Sequence, residues 1–380
     1  MSSKNILFVC GSLEPGKDGV GDYARALAAE ILRGGGVCSL VSTHDKAVDA
    51  VTREAQATDS SVSVATWRIP RKLSDERRMA ALQKCLKATR PTYVSLQFVP
   101  YSFSKKGIPL GLAKFAKAAF SDIPVHIMFH ELWLTKKGLV ADPKRYVTSA
   151  SQKYAIHKLI LHLRPRLIHT HIPEYQRRLK SLGVPASPLP LFSNIVPVND
   201  TIVKTKVEDA GLRIALFSKL STKEPIMDVL KAALNWSIGE FGKGRVDLIG
   251  GNAEVAKELK ARLETEVAGV QVNVTGHLPA SEVSAHLAAC HLALTPVPSW
   301  VLGKSGTVAA FLSHGLPVYA PMPSGRAEVG FFDDTLAKFI RTAFDPADFL
   351  RMLDELEKAS KASIALPFIA RKLLHDLDAA

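Results

Sequence analysis

Four consecutive residues in the second half of the chain have the chemistry of an anion site. Lys304, Ser305, Gly306 and Thr307 follow a buried apolar segment and come directly before a helical pattern. The first N–H groups of a helix have no intrahelical partner, and the helix dipole favours negative charge there. A glycine in this turn lets a ligand approach the backbone. The pattern favours a diphosphate site, and an ordinary N-cap with a packing glycine is the alternative interpretation.

The residues around this turn alternate between strand and helix patterns. Apolar runs at 272–274, 292–296 and 318–320 predict strands, and helical patterns lie between them. Such repeats form parallel sheets, which bind ligands at the carboxyl ends of their strands. The fold class is therefore α/β, with a ligand site at one edge of a Rossmann-like sheet.

The first half begins with a predicted strand at 4–10, a glycine-rich loop, and a helix from residue 23 to 33. The loop has the spacing of neither a G-x-G-x-x-G motif nor a P-loop, so these two phosphate loops are excluded. It is longer than a strand-to-helix turn needs. We therefore expect Gly19 and Gly21 to let a substrate touch the backbone. The alternative interpretation is that these glycines serve only a tight turn.

His130 follows the buried strand predicted at 125–129, where ligands meet a parallel sheet. The His-Glu pair at 130–131 suggests zinc, but no second histidine follows at the H-E-x-x-H spacing, so a zinc protease is excluded. We predict a functional histidine, and a hydrogen-bonded structural one is the alternative.

Length and composition suggest two domains of ordinary size in a globular chain of 380 residues, 47% of them hydrophobic. The four cysteines show no paired spacing, so we expect reduced thiols and a cytoplasmic protein. The apolar start is too short for a signal peptide, and no run reaches the ~18 residues of a membrane span.

The charge is unevenly distributed. Residues 1–200 carry 29 Lys+Arg against 15 Asp+Glu, whereas residues 201–380 carry 20 against 21. A basic half can face nucleic acid, an anionic membrane leaflet or an acidic substrate. The sequence shows no nucleic-acid module, so we expect no nucleic-acid partner. Peripheral contact with the inner face of a membrane fits the charge, and a merely basic soluble domain is the alternative.

Six motifs, in order, resemble those of GT-B glycosyltransferases, nearest to the large nucleotide-sugar-dependent family four: PGKDGVGDYARALAAEILRGG, FHELW, LFSKLSTKEP, LIGG, TGHLPASEVSAHLAACHLALTP and AAFLSHGLPV. The resemblance spans most of the chain. It implies two Rossmann-like domains facing a central cleft, an acceptor-binding domain at 1–200 and a donor-binding domain at 205–365. It also implies that the helix at 366–380 packs back on the first domain.

The resemblance gives these motifs roles. His130 would hydrogen-bond the transferred sugar, and Gly19 and Gly21 would line the cleft beneath it. Lysines would face the donor diphosphate, the Gly-His-Leu segment would lie beside the base, and the Ser-Gly-Thr turn would bind the phosphates. The implied donor-binding residues are Lys219, Lys223, Gly276, His277, Leu278, Lys304, Ser305, Gly306 and Thr307.

The sequence departs from the family at two glutamates. Counting back from Gly315 places Ala310 and Leu302 where the family carries them. The second glutamate typically holds the ribose hydroxyls, so ribose binding must differ here. The departure also leaves a second interpretation open, in which the protein is a relative of the family that binds a nucleotide sugar or glycan but does not catalyse a reaction.

The resemblance implies a retaining transfer from a nucleoside-diphosphate sugar, a co-substrate rather than a cofactor, to a glycan or lipid-linked acceptor. Lysines and a helix N-terminus can stabilise the leaving diphosphate without a metal. The Asp-Asp pair at 333–334 is predicted to be a loop or a helix cap, not a metal site. An epimerase of the same fold is a further alternative.

Overall fold

The computed structural model describes residues 4–58, 62–134, 142–197, 205–322 and 329–380. The chain divides into two compact units. Unit 1 contains Met1–His171, Tyr175–Leu189 and Ile369–Ala380, and unit 2 contains Ile172–Glu174 and Pro190–Phe368. The predicted boundary between residues 200 and 205 lies outside the described residues, and the domain limits stay predictions.

Unit 1 is built on a sheet of eight described strands: β1 (Asn5–Cys10), β2 (Val37–Asp45), β3 (Thr52–Ala57), β4 (Ser63–Pro70), β5 (Tyr93–Phe98), β6 (Val125–Phe129), β7 (Leu167–Thr170) and β8 (Ser187–Pro188). Their order is β3-β4-β2-β1-β5-β6-β7-β8, and only the β3–β4 pair is antiparallel. The central strands are buried on both faces, as a parallel sheet covered by helices requires.

The helices of this region are α1 (Gly19–Arg33), α2 (Asp75–Thr89), α3 (Pro100–Phe103), α4 (Leu112–Phe120), α5 (Pro143–Leu163) and α6 (Pro173–Lys180). The helix α1 begins four residues earlier than the sequence predicts. The reason is Asp18, whose side chain caps the helix by accepting the N–H of Gly21 at 2.8 Å.

Unit 2 has a sheet of six described strands, all parallel: β9 (Leu212–Phe217), β10 (Gly244–Ile249), β11 (Val270–Gly276), β12 (Leu292–Leu294), β13 (Val318–Tyr319) and β14 (Ile340–Arg341). Their order is β11-β10-β9-β12-β13-β14. The helices are α7 (Val207–Ala210), α8 (Glu224–Phe241), α9 (Ala253–Glu266), α10 (Ala280–Ala288), α11 (Gly306–Ser313), α12 (Asp334–Ala337) and α13 (Pro346–Lys358).

The chain ends in α14 (Leu366–Ala379), most of which belongs to unit 1. Its residues Ile369, Leu373 and Leu377 are buried, at the four-residue spacing of one helix face. Among the described residues no helix is long and apolar enough to cross a membrane.

Candidate functional site

The strand order of unit 2 changes direction at β9. The strands β10 and β11 lie on one side of β9, and β12, β13 and β14 lie on the other. Such a switch point leaves a crevice outside the carboxyl ends of the two strands that flank it. The loop after β9 carries Lys219 and Lys223, and the segment after β12 carries residues 304–307. The topology therefore brings these two predicted groups to the same edge of the sheet.

The loop after β9 has an unusual backbone. Ser218 has a φ of 66°, a left-handed conformation that non-glycine residues seldom adopt. It is held there by a hydrogen bond from its N–H to the carbonyl of Ile249 (2.9 Å). Strain of this kind concentrates at binding and catalytic sites. Lys219 and Lys223 are exposed, and Lys223 is the N-cap residue of α8. Sequence reasoning missed Ser218, because no pattern marks a serine for a positive φ.

The anion site predicted from residues 304–307 takes the form of a capped helix start. Ser305 is the N-cap of α11, and its side chain accepts the N–H of Val308 at 3.4 Å. The ordinary N-cap interpretation is therefore correct as local geometry. It leaves a ligand role open, because the nearest atom of another described residue to a Cβ added at Gly306 is the Asn194 amide nitrogen, at 4.0 Å. Lys304 and Thr307 are half-buried beside this turn.

The Gly-His-Leu segment lies at the end of β11. Gly276 is the last residue of the strand, with a φ of 66°, and its carbonyl accepts the N–H of Gly250 at 2.9 Å. His277 is exposed, whereas Leu278 is half-buried and packs against the core of unit 2. The strand β11 is the edge strand, two places from the switch point. The predicted contact of this segment with a nucleotide base stays a prediction.

The two positions of the missing glutamates are both in the core. Leu302 and Ala310 are fully buried and belong to the hydrophobic cluster of unit 2. A glutamate at either position would place a charge in an apolar environment, which costs several kcal/mol by typical estimates unless it is paired. The local packing of this chain is therefore adapted to apolar residues there. Asp333 is the N-cap of α12, which confirms the helix-cap prediction.

Gly19 and Gly21 lie inside the first turn of α1 rather than in the loop before it. Gly21 is buried, and a Cβ added there would approach the carbonyl oxygen of Ser12 to 2.9 Å, so this glycine has a packing reason. Gly19 is exposed, and a Cβ added there would meet no atom of another described residue within 4 Å. The expected loop therefore ends earlier than predicted, since Asp18 starts the helix before both residues, and the contact of these glycines with a substrate stays a prediction.

His130 is nine-tenths buried at the carboxyl end of β6. Its Nε2 contacts Gln97 Oε1 at 2.9 Å, and its Nδ1 contacts Nε2 of His171 at 3.0 Å. The ring of Tyr23 packs edge-on against both imidazoles. Both ring nitrogens of His130 thus have protein partners, so a hydrogen bond to a sugar requires one of them to be exchanged. Gln97 and His171 were missed from the sequence because they lie on neighbouring strand ends.

A cavity of about 250 Å³ opens in unit 1 near the carboxyl end of β2. At one wall Arg78 donates to Nε2 of His44, whose Nδ1 lies 2.9 Å from Thr43 Oγ1. Burial, with the nearby charges of Arg78 and Arg71, lowers the pKa of His44 to about 3, so this histidine is neutral. The cavity is lined by His44, Asp75, Arg78, Phe103, Ser104, Ile108, Pro109, Leu110, Gly111, Leu112 and Phe115.

No protein-family model and no curated protein matches this chain. Solved structures do. A glycosyltransferase from Rickettsia africae ESF-5 matches with a TM-score of 0.60 and 10% identity, over 99% of this chain and 98% of that one. This chain has the GT-B fold.

The matching structures also include nucleotide-sugar 2-epimerases, which share the GT-B fold. A putative UDP-N-acetylglucosamine 2-epimerase from Listeria monocytogenes matches with a TM-score of 0.56 and 11% identity, over 100% of this chain and 96% of that one. The UDP-GlcNAc 2-epimerase from Neisseria meningitidis, bound to UDP-GlcNAc, matches with a TM-score of 0.52 and 10% identity, over 99% of this chain and 100% of that one. These likenesses describe the fold, which serves more than one reaction on nucleotide sugars.

Proposed function

We propose that this GT-B protein is a glycosyltransferase that moves a sugar from a nucleoside-diphosphate sugar to a glycan or lipid-linked acceptor. The observation that carries the proposal is the arrangement in unit 2. The strained Ser218 loop with Lys219 and Lys223, and the α11 N-terminus with its uncrowded Gly306, flank one switch point. Positive charge and close backbone access at one edge of a parallel sheet are what a diphosphate requires.

The chemistry of transfer places negative charge on the leaving diphosphate. In this proposal Lys219 and Lys223 supply positive charge, and the N–H groups of Gly306 and Thr307 supply preorganised dipoles. A lysine is a compact charge without the planar fork of arginine, so it neutralises a phosphate without fixing its orientation. The helix N-terminus then provides the orientation. We propose that the transfer retains the anomeric configuration and uses no metal ion.

The basic first half of the chain supports an acidic acceptor. Arg78 points at the cavity of unit 1, and its buried Nε has no hydrogen-bond partner among the described residues. The guanidinium charge at the cavity wall would attract a phosphate or carboxylate on the acceptor, and the phenyl rings of Phe103 and Phe115 would pack against an apolar part. We propose an acceptor that is anionic or presented at an anionic membrane surface.

The test of the donor site is a thermal-shift screen with UDP, GDP, ADP, TDP and CMP, with and without magnesium. A ligand that binds only the folded state raises the melting temperature. We expect a shift with one diphosphate that magnesium does not change. If none of the nucleotides shifts the melting temperature, the donor site is absent and the proposal fails.

A nucleotide-sugar 2-epimerase is the second candidate function, because proteins of that activity match the fold over the full chain. An epimerase inverts C2 of the nucleotide sugar with no acceptor present, whereas a transferase releases nucleoside diphosphate in proportion to glycosylated product. NMR of the incubated nucleotide sugar separates the two. Binding without either reaction would favour the non-catalytic relative, which the buried Leu302 and Ala310 motivate.

A further inference from the structure

A continuous line of buried hydrogen bonds crosses β5, β6 and β7 in unit 1. It begins at the carboxylate of Asp376 on α14 and ends at the carbonyl of Leu189. Six side chains lie between these ends, each less than one-tenth exposed. The seven contacts in order are Asp376–His169 (3.0 Å), His169–His126 (3.1 Å), His126–Ser95 (2.8 Å), Ser95–Gln97 (2.7 Å), Gln97–His130 (2.9 Å), His130–His171 (3.0 Å) and His171–Leu189 O (2.9 Å).

The number of protons along this line can be counted. Both ends, a carboxylate and a carbonyl, only accept hydrogen bonds. A neutral histidine, a serine hydroxyl and a glutamine amide each give one donor and one acceptor along the line. Six such groups supply six protons, but the line has seven contacts. One further proton is needed, and this result does not depend on which way the Gln97 amide is turned.

The position of the further proton follows from the direction of donation. Asp376 Oδ2 accepts a hydrogen bond from Lys372 at 2.6 Å, and as an acceptor it requires His169 Nε2 to be the donor. In the orientation of the structure, the Gln97 amide nitrogen donates to Ser95 Oγ and lies 3.5 Å from the Ser95 carbonyl. Every contact from His130 Nε2 to Asp376 then donates toward Asp376.

The other end of the line donates in the opposite direction. The carbonyl of Leu189 requires a proton on Nδ1 of His171. In neutral rings the remaining nitrogens, Nε2 of His171 and Nδ1 of His130, are then both acceptors, although they lie only 3.0 Å apart. Two lone pairs at this distance repel each other, and a proton between them makes the contact a charge-assisted hydrogen bond.

We propose that His130 and His171 share one proton beyond those of two neutral rings, and that the rest of the line holds the proton at this pair. Gln97, Ser95, His126, His169 and Asp376 are then positioning residues. The inference rests on the proposed function only for the use of the charge. A positive charge at His130 favours an anionic substrate group at this edge of the sheet.

The reversed line is the competing arrangement. If the Gln97 amide were turned over, the mismatch would move to the His169–Asp376 contact and His169 would be the imidazolium. Burial, together with Lys372 and His171, lowers the pKa of His169 to about 3. Burial also lowers the pKa of His126 well below its ordinary value. Both effects disfavour the further proton, and hence an imidazolium, at the Asp376 end of the line.

The test is to locate the ring protons directly. Long-range ¹⁵N–¹H correlation spectra of the full chain, labelled with ¹⁵N-histidine in a deuterated background, distinguish protonated from unprotonated ring nitrogens. Near neutral pH we expect three ring protons on His130 and His171 together, and one each on His126 and His169, at Nε2. A doubly protonated His169, or four neutral rings, would overturn the proposal.

Two variants sharpen the result. His171→Phe removes the opposing nitrogen, so His130 should keep a single ring proton, on Nε2. Asp376→Asn keeps an oxygen that can accept from both His169 and Lys372, so the shared proton should remain. An imidazolium at His130 in the first variant, or loss of the shared proton in the second, would contradict the assignment. These spectra need no substrate, so they stand or fall independently of the proposed glycosyl transfer.

Discussion

Ser218 and Gly251, in the loops after β9 and β10, approach each other closely at the edge of the unit 2 sheet. Gly251 has a φ of 80°, and a Cβ added to it would lie 2.8 Å from the carbonyl oxygen of Ser218. Ser218 itself has a positive φ, so the two unusual backbones are in contact. The position of Lys219, the next residue, therefore depends on the absence of a side chain at Gly251.

Gly251→Ala should disturb this contact and displace the loop after β9, which carries Lys219 and Lys223. The left-handed backbone alone costs a non-glycine residue roughly 1–2 kcal/mol, and the contact adds to that. We expect a lower melting temperature and weaker nucleoside-diphosphate binding by calorimetry. Gly239→Ala, in the last turn of α8 with no atom of another described residue within 4 Å of the added Cβ, is the matched control and should leave binding unchanged. If both variants weaken nucleoside-diphosphate binding equally, the contact between Gly251 and Ser218 does not position the loop after β9.

Gly306→Ala tests whether a ligand approaches the α11 N-terminus. The protein has room for the methyl group, and alanine is the better helix former by about 1 kcal/mol within a helix. The fold should therefore be retained or slightly stabilised, whereas a diphosphate seated on the backbone would lose close contact. We expect diphosphate affinity to fall at least ~10-fold, or about 1.4 kcal/mol. An unchanged dissociation constant would place the phosphates elsewhere.

Lys223→Ala should weaken donor binding more than it disturbs folding. The side chain is exposed, so its removal leaves no cavity. A hydrogen bond to a charged group is worth roughly 1.5–3 kcal/mol, which predicts a ~10- to 100-fold loss of diphosphate affinity by calorimetry. Lys257→Ala, an exposed lysine on α9, controls for the change in net charge. If both variants bind alike, Lys223 does not face the diphosphate.

His130→Gln should lower turnover while leaving nucleoside-diphosphate binding in unit 2 intact. Glutamine keeps an amide donor and acceptor for Gln97 and His171 but cannot carry a proton. We expect turnover to fall by roughly 100-fold or more, the scale typical of a lost proton-bearing group. The measurement is steady-state kinetics of nucleotide release together with calorimetry. Full activity in this variant would make His130 a structural residue.

Much of the fold could be predicted from sequence because the buried strands are continuous apolar runs. The strand predicted at 125–129 has the same bounds in the structure, where it is β6. The strand β3 was missed because most of its side chains are exposed at the sheet edge, so its sequence carries no apolar alternation. The long helix α5 was also missed, since its apolar residues do not form one clear stripe.

The candidate site could be predicted only where one segment carries the signal. The Ser305–Thr307 turn combines a cap, a glycine and a helix start within three residues. The partners of His130 could not be found in this way, because Gln97 and His171 are 33 and 41 residues from it and meet only through strand pairing. The packing of Leu302 and Ala310 likewise depends on contacts that no local pattern records.

Asp45 at the end of β2 should control the acid stability of unit 1. Its carboxylate accepts hydrogen bonds from Arg68 Nε (2.9 Å), Ser42 Oγ (2.9 Å) and the N–H of Leu13 (3.1 Å). Burial alone would raise the pKa of Asp45, but hydrogen bonds from Arg68, the Ala47 N–H, Ser42 and the Leu13 N–H outweigh it and hold the pKa below its usual value.

Because the pKa is lowered on folding, the stabilisation from Asp45 is complete above the unfolded value of about 3.9 and is lost as the pH falls through the folded value. Asp45→Asn leaves Arg68 buried without its main counterion, which typically costs about 3–5 kcal/mol. Urea unfolding from neutral to acidic pH should therefore show a difference between wild type and Asp45→Asn that shrinks below roughly pH 4. Asp49→Asn removes the exposed carboxylate paired with Lys72 and should not change stability measurably. A wild-type to Asp45→Asn difference that stays constant with pH would show that Asp45 acts through packing rather than through its charge.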